Sequence, residues 1–206
     1  MKPRRAAVAP ATRAAVARGA FDEEELTAVH EAGHAVVAWR QRIKVRRVTI
    51  VPSGDALGEV LHDRGPALFT ASAQGGLSPR AVENRVLVLL AGSESEKKFR
   101  GRYDHAAARC DYDRAVELLT NHAGSQEEVD AWMKLQRIRT SRIVSDMWGE
   151  IRAVAAALLR QKTVTGTQVA AIIERLVAGH VRAILGGDRR PARVTARQGS
   201  NIRRSS

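Results

Sequence analysis

The chain has 206 residues but only one cysteine, few aromatic residues and no long apolar run. Because Cys110 has no second cysteine with which to form an intrachain disulfide, a disulfide-stapled secreted fold is excluded and a reducing compartment is favoured. No stretch reaches the roughly 18 consecutive apolar residues of a membrane span, and the N-terminal residues lack the apolar segment of a signal peptide. We therefore expect a cytoplasmic protein with no membrane span.

Acidic residues are scarce at the two ends of the chain. Residues 1–20 hold five basic residues and no acidic one, and residues 188–206 hold six arginines and one aspartate, so residues 21–187 carry only +2 of the net charge of +12. We expect one domain at 21–187, between a disordered basic leader (1–20) and a disordered basic tail (188–206). No recognition motif accompanies the basic ends, so a nucleic-acid partner is not expected.

The spacing of apolar residues predicts a mainly α-helical domain with a small β-hairpin beside its first helix, an α+β fold. The two strands of the hairpin are predicted at 45–51 and 56–62, with an exposed loop at 63–77 after them. Helices are predicted at 22–42, 79–99, 111–124, 125–161 and 167–185.

The sequence His-Glu-Ala-Gly-His at 30–34 is the most informative motif of the chain, and it lies within the first predicted helix. Residues four apart share one face of a helix, so His30 and His34 can bind one Zn²⁺. Glu31 lies about 100° around the helix, from where it can act as a general base on a water molecule at the metal. Gly33 would admit close packing or keep the metal face uncrowded.

A catalytic zinc site needs a third protein ligand, and the motif supplies only two. A metzincin would have a third histidine six residues after the motif, but this position is Arg40, which excludes that class. The residues alone leave several candidates open, of which Asp111 stands at the start of a predicted helix, where the helix dipole favours a carboxylate. The candidates are Glu94, Glu96, His105 and Asp111, while Asp113, close by, is expected to be a solvated or helix-capping carboxylate.

Four segments, in order, resemble the zinc-peptidase domain of the FtsH-type membrane AAA proteases, over about residues 23–178. The first two are TAVHEAGHAVVA at 27–38, and VTIVP with Ala-Leu-Gly at 48–58. The other two are LLAG at 89–92 with Glu96, and AAALLRQKTVTGTQV at 155–169.

The resemblance implies the protease-domain fold, Zn²⁺ as cofactor, and hydrolysis of peptide bonds in unfolded or flexible polypeptides. It implies that His30 and His34 bind the metal and that Glu31 is the general base. It also points to Asp111 as the third ligand, because the family's aspartate opens the helix that matches this part of the chain. The Gly-Ala-Ser-Asn segment around that aspartate in the family is not kept here, and Glu96 is the second choice.

The family joins this domain to an ATPase, whereas this sequence contains no G-x-x-x-x-G-K-[ST] phosphate loop. We therefore expect a stand-alone peptidase domain, with a polypeptide substrate. A separate ATPase and further copies of the chain are the other partners that the resemblance raises. The alternative is a non-catalytic regulator or adaptor that keeps the fold and the metal, and the presence of Glu31 argues against it.

The second strand of the hairpin is a candidate for binding substrate. An edge strand beside a zinc helix can pair with an extended peptide through main-chain hydrogen bonds, which demand little of the peptide's sequence. Gly58 would allow close approach of a backbone. The predicted substrate-binding residues are Leu57, Gly58, Glu59 and Val60.

Overall fold

The computed structural model describes residues 22–54, 56–62, 77–103 and 109–186. The basic leader and tail, and the loop at 63–76, lie outside these ranges. The described helices are α1 (Glu23–Arg40), α2 (Pro79–Arg100), α3 (Arg109–Thr120), α4 (Gln126–Asp146), α5 (Trp148–Gln161) and α6 (Gly166–Gly186). The strands are β1 (Val45–Thr49), β2 (Glu59–His62) and β3 (Thr163–Thr165). The prediction of a mainly helical domain with a small sheet is confirmed.

Helix α1 lies at the centre of the domain. It begins after Asp22, whose side chain accepts a hydrogen bond from the backbone N–H of Glu24, and three glutamates in its first turn complement the helix dipole. Ten of its residues between Ala28 and Ala38 are buried, because α1 packs against α2 on one side and α5 on another. The 30–34 motif therefore lies on a helix that is covered by neighbours on several sides.

The sheet has the strand order β2–β1–β3, and both pairs are antiparallel. Val48 of β1 pairs with Val60 of β2 and with Val164 of β3, and its side chain is fully buried. The sequence predicts an interruption between two helices at 163–167, and the structure does have a break there, but the prediction did not include a strand. The β-branched residues Thr163–Thr165 form a third strand, which buries Val164 against the core.

The long helix predicted at 125–161 is also interrupted, because Met147 leaves the helical conformation with φ −107° and ψ 25°. Helix α4 therefore ends at Asp146 and α5 begins at Trp148, close to Gly149, a residue that weakens helices. The start of α4 follows the prediction more closely, since the Ser125 side chain accepts a hydrogen bond from the backbone N–H of Glu128.

Helix α2 divides the interior into two hydrophobic clusters. The first cluster packs α1 and the sheet against α5 and α6, and the second packs α2 against α3 and α4. Because α2 contributes residues to both clusters, α1 and α3 both pack against α2. As a consequence, the start of α3 lies beside the face of α1 that carries His30 and His34. None of the described helices is long and apolar enough to span a membrane.

Candidate metal centre

Three side chains from two helices converge at the centre of the domain. His30 and His34 extend from α1, and their Nε2 atoms lie 2.9 Å apart. Asp111, in the first turn of α3, places its Oδ2 atom 3.4 Å from Nε2 of His30 and 3.1 Å from Nε2 of His34. Among the described residues, these three form a group with the spacing expected for ligands of one metal ion.

The outer nitrogen of each imidazole has a partner that fixes its ring. Nδ1 of His34 donates to the backbone carbonyl of Val88, at 2.7 Å. Nδ1 of His30 lies 2.6 Å from Oε1 of Glu96, and the other oxygen of Glu96 accepts from Arg100, at 3.0 Å. Such outer partners orient metal-binding histidines and raise their basicity.

The arrangement fits a cation and leaves no good alternative for two neutral rings. If both rings are neutral and each Nδ1 carries the hydrogen that it donates outward, Nε2 of His30 and Nε2 of His34 face each other with lone pairs. Two lone pairs and a carboxylate oxygen at this separation repel unless a positive charge lies among them. The triangle has edges of 2.9, 3.1 and 3.4 Å. Ligand atoms of tetrahedral zinc, with bonds of 2.0–2.1 Å, are separated by about 3.3 Å.

The pKa values of the cluster also show that it favours positive charge. Burial by itself would lower the pKa of His30, but hydrogen bonds to Asp111 and Glu96 and the charge of Glu31 raise it to about 10. Burial opposes ionisation of Asp111, yet the charge of His34 and the hydrogen bonds from both histidines hold its pKa below the ordinary range. The cluster therefore stabilises a positive charge, here a proton, at the place where a metal ion would lie. A site with an anionic ligand is expected to favour a cation in this way.

Glu31 lies beside the cluster and is 7% exposed. Burial raises the pKa of its carboxyl, and the charges of His34 and His30 partly oppose that shift. On its other side Glu31 meets Gly58, where a Cβ atom would lie 2.7 Å from Cγ and 2.8 Å from Oε1 of Glu31. The segment before β2 therefore packs directly against the candidate base, and it can do so because Gly58 has no side chain.

Residues 20–122 match the sequence model of peptidase family M41, which is half of the chain. The chain belongs to peptidase family M41. The matched region includes the motif at 30–34, the segment before β2, and Asp111. The family match supports a zinc metalloprotease-like domain here.

The chain is also similar in sequence to individual proteins that are named zinc metalloproteases. The chain is 38% identical over 77 residues to the ATP-dependent zinc metalloprotease FtsH 1 of Rhodopirellula baltica, covering 36% of this chain and 11% of that protein. It is 30% identical over 147 residues to FTSH 11, chloroplastic/mitochondrial, an ATP-dependent zinc metalloprotease of Arabidopsis thaliana, covering 68% of this chain and 17% of that protein. It is 23% identical over 195 residues to the ATP-dependent zinc metalloprotease FtsH of Caulobacter vibrioides, covering 74% of this chain and 30% of that protein. The chain thus spans less than a third of each of these relatives.

Within this M41 domain, the other predicted ligands lie elsewhere. Glu96 contacts the outer nitrogen of His30, behind the ring, so its oxygens do not meet the two Nε2 atoms. Glu94 is buried near Arg137 of α4, with 3.9 Å between its Oε1 and Nε of Arg137. His105 lies outside the described residues.

The predicted substrate segment is only partly a strand. Glu59 and Val60 belong to β2, whereas Leu57 and Gly58 precede it, so the strand is shorter than the sequence predicts. In the described part of the sheet, β2 is an edge strand that pairs with β1 alone. Leu57 is 52% exposed.

The sequence interpretation missed Gly92 as a site residue. This glycine lies in the middle of α2, where a Cβ atom would be 2.5 Å from Nε2 of both His30 and His34. It does fall within LLAG, one of the segments that carry the family resemblance. A glycine directly after an apolar run within a predicted helix was the available signal, since glycine disfavours helices and needs another reason to be there.

Proposed function

We propose that this chain is a zinc-dependent endopeptidase, in which His30, His34 and Asp111 hold Zn²⁺ and Glu31 is the general base. The observation that carries the proposal is the convergence of two imidazole Nε2 atoms and one carboxylate oxygen beside a buried glutamate. The M41 relatives, which are named zinc metalloproteases, support the choice of metal.

Bound zinc would supply Lewis acidity, which polarises the scissile carbonyl and makes hydroxide available near neutral pH. The work of the chain's own residues is to hold the metal and to move a proton. Glu31 takes a proton from the attacking water onto its carboxylate and then donates it to the leaving amine. The raised pKa of Glu31, caused first by burial, brings its proton affinity closer to that required near neutral pH.

The proposed substrate is an extended segment of an unfolded or flexible polypeptide. The outer edge of β2 offers backbone groups for pairing, and the segment with Leu57 and Gly58 leads from that edge to Glu31. Main-chain pairing along Glu59 and Val60 would then place the peptide beside the candidate base with little demand on its sequence.

The relatives' names also specify ATP dependence, and no phosphate-loop pattern occurs within residues 1–206. We infer that any ATP-driven unfolding of the substrate depends on an ATPase outside these residues. Flexible chains, which need no unfolding, are then the substrates that the isolated domain should cleave.

The proposal is tested by replacing Glu31 with Gln and measuring both bound zinc and cleavage of a fluorogenic peptide or casein. General acid–base catalysis typically contributes about 10²–10⁴-fold, so a loss of that order is expected while zinc remains bound. Glu23→Gln is the matched control, because Glu23 is exposed on the first turn of the same helix.

Two results would contradict the proposal. Full cleavage by Glu31→Gln would remove Glu31 from the mechanism. If the unaltered protein bound zinc and cleaved no flexible polypeptide, that outcome would favour the non-catalytic alternative. Cleavage that persists after removal of the metal by a chelator would indicate a contaminating peptidase.

A further inference from the structure

The middle of α2 passes directly over the two imidazole rings of α1. At Gly92 an added Cβ atom would lie 2.5 Å from Nε2 of His30, 2.5 Å from Nε2 of His34 and 2.6 Å from Cε1 of His30. Contacts under 3.0 Å are essentially never seen for a real Cβ, so any side chain here would require both rings or the helix to move. The atoms it would meet include both histidine nitrogens that face the candidate metal.

We propose that Gly92 is a positioning residue, whose bare backbone provides the clearance that the two Nε2 atoms need to share one metal ion. This inference rests on the proposed zinc site. Glycine is a poor helix former, so its presence in the buried middle of a 22-residue helix needs a structural reason. The proximity of the two rings supplies it.

Gly33, at the same contact between α1 and α2, has a different role from Gly92, because it allows only close helix packing. A Cβ atom at Gly33 of α1 would meet Ser95 and the backbone carbonyl of Ala91, both of which belong to α2. Gly33 therefore sets the approach of the two helices, whereas the three nearest atoms to a Cβ at Gly92 all belong to imidazoles. Substitution of Gly92 should consequently act on the metal site in a way that depends on the histidines.

The first experiment compares zinc affinity in Gly92→Ala and in the unaltered protein, by competition with a chromophoric chelator. We expect Gly92→Ala to bind zinc at least about tenfold more weakly, because both ligand rings are displaced together. Gly179→Ala is the matched control, since Gly179 lies in α6 with no atom near its Cβ position, and its affinity should not change. An affinity for Gly92→Ala within twofold of that of the unaltered protein would overturn the inference.

The second experiment measures stability without metal, and it remains decisive if Gly92→Ala alone fails to fold. Gly92→Ala is made in the full chain and also in a His30→Ala/His34→Ala background, and thermal unfolding is followed with a chelator present. We expect Gly92→Ala to lower the melting temperature when the imidazoles are present, and to leave it unchanged or raise it when they are gone. An equal loss in both backgrounds, or failure to fold in both, would assign Gly92 to helix packing and overturn the proposal.

The two experiments also separate this inference from the proposed function. If the unaltered protein bound no zinc, the proposed function would fail. The metal-free stability cycle would still decide whether the rings of His30 and His34 are what Gly92 accommodates.

Discussion

The identity of the third ligand is the sharpest question for mutagenesis, because two carboxylates contact the histidines in different ways. Oδ2 of Asp111 lies 3.1 and 3.4 Å from the two inward Nε2 atoms. Oε1 of Glu96 lies 2.6 Å from the outward Nδ1 of His30. We therefore expect Asp111→Asn to remove an anionic ligand from the metal, and Glu96→Gln to weaken only the support of one ring.

The two substitutions should differ in magnitude. Loss of an outer partner of a metal-binding histidine typically costs 10–100-fold in affinity, which corresponds to about 1.4–2.8 kcal/mol. We expect Glu96→Gln to fall in that range, since glutamine can still accept from Nδ1 of His30 but no longer neutralises Arg100. Asp111→Asn should exceed about 100-fold, because it replaces one of three direct ligands with a neutral group.

The assay is zinc affinity by chelator competition, combined with metal analysis of the purified variants. Asp113→Asn is the matched control, as its side chain is 66% exposed on the same helix as Asp111, and it should bind zinc normally. A larger loss for Glu96→Gln than for Asp111→Asn would refute the assignment and make Glu96 the direct ligand.

Two further predictions concern the base and the pH dependence of metal binding. Gly58→Ala should keep zinc affinity within about twofold but lower kcat by about 10²-fold, because a Cβ would displace the Glu31 carboxylate. An unchanged kcat in a steady-state cleavage assay would contradict this prediction. In the metal-free protein the pKa of His30 is raised to about 10, so zinc must displace a proton at neutral pH. Apparent zinc affinity should therefore increase about tenfold per pH unit between about pH 6.5 and 8, and a flat profile by titration would show that His30 is already neutral.

The sequence was most informative where function depends on local spacing. His30, His34 and Glu31 lie within five residues on one helix, and the 3.6-residue period alone puts the two histidines on one face. The zinc-peptidase interpretation followed from this spacing together with the order of four segments, and the M41 match confirms the family.

Predictions failed where local patterns were weak or depended on distant contacts. Residues 163–165 are too few to show strand periodicity, and they become β3 only because β1, more than a hundred residues earlier, offers an edge. The sequence did not show the break at Met147, because the helical spacing of apolar residues continues on both sides of it. The sequence also did not show that β2 begins at Glu59, because Leu57 and Gly58 just before it continue the alternating pattern of the predicted strand.

The sequence by itself determined the helix that carries the candidate metal ligands, the helical class of the domain and the candidate base, because each follows from periodicity within a few turns. From the residues alone Asp111 and Glu96 were both open as the third ligand, since both are carboxylates on helices after the motif. The family resemblance favoured Asp111, and only the tertiary structure showed how each carboxylate lies against the histidines. The Asp111 carboxylate lies at the inner nitrogens and that of Glu96 behind the ring of His30, because Asp111 belongs to α3 and Glu96 to α2, and both helices pack in this region. Gly92 likewise gained a role only from packing, because the atoms that it accommodates belong to another helix.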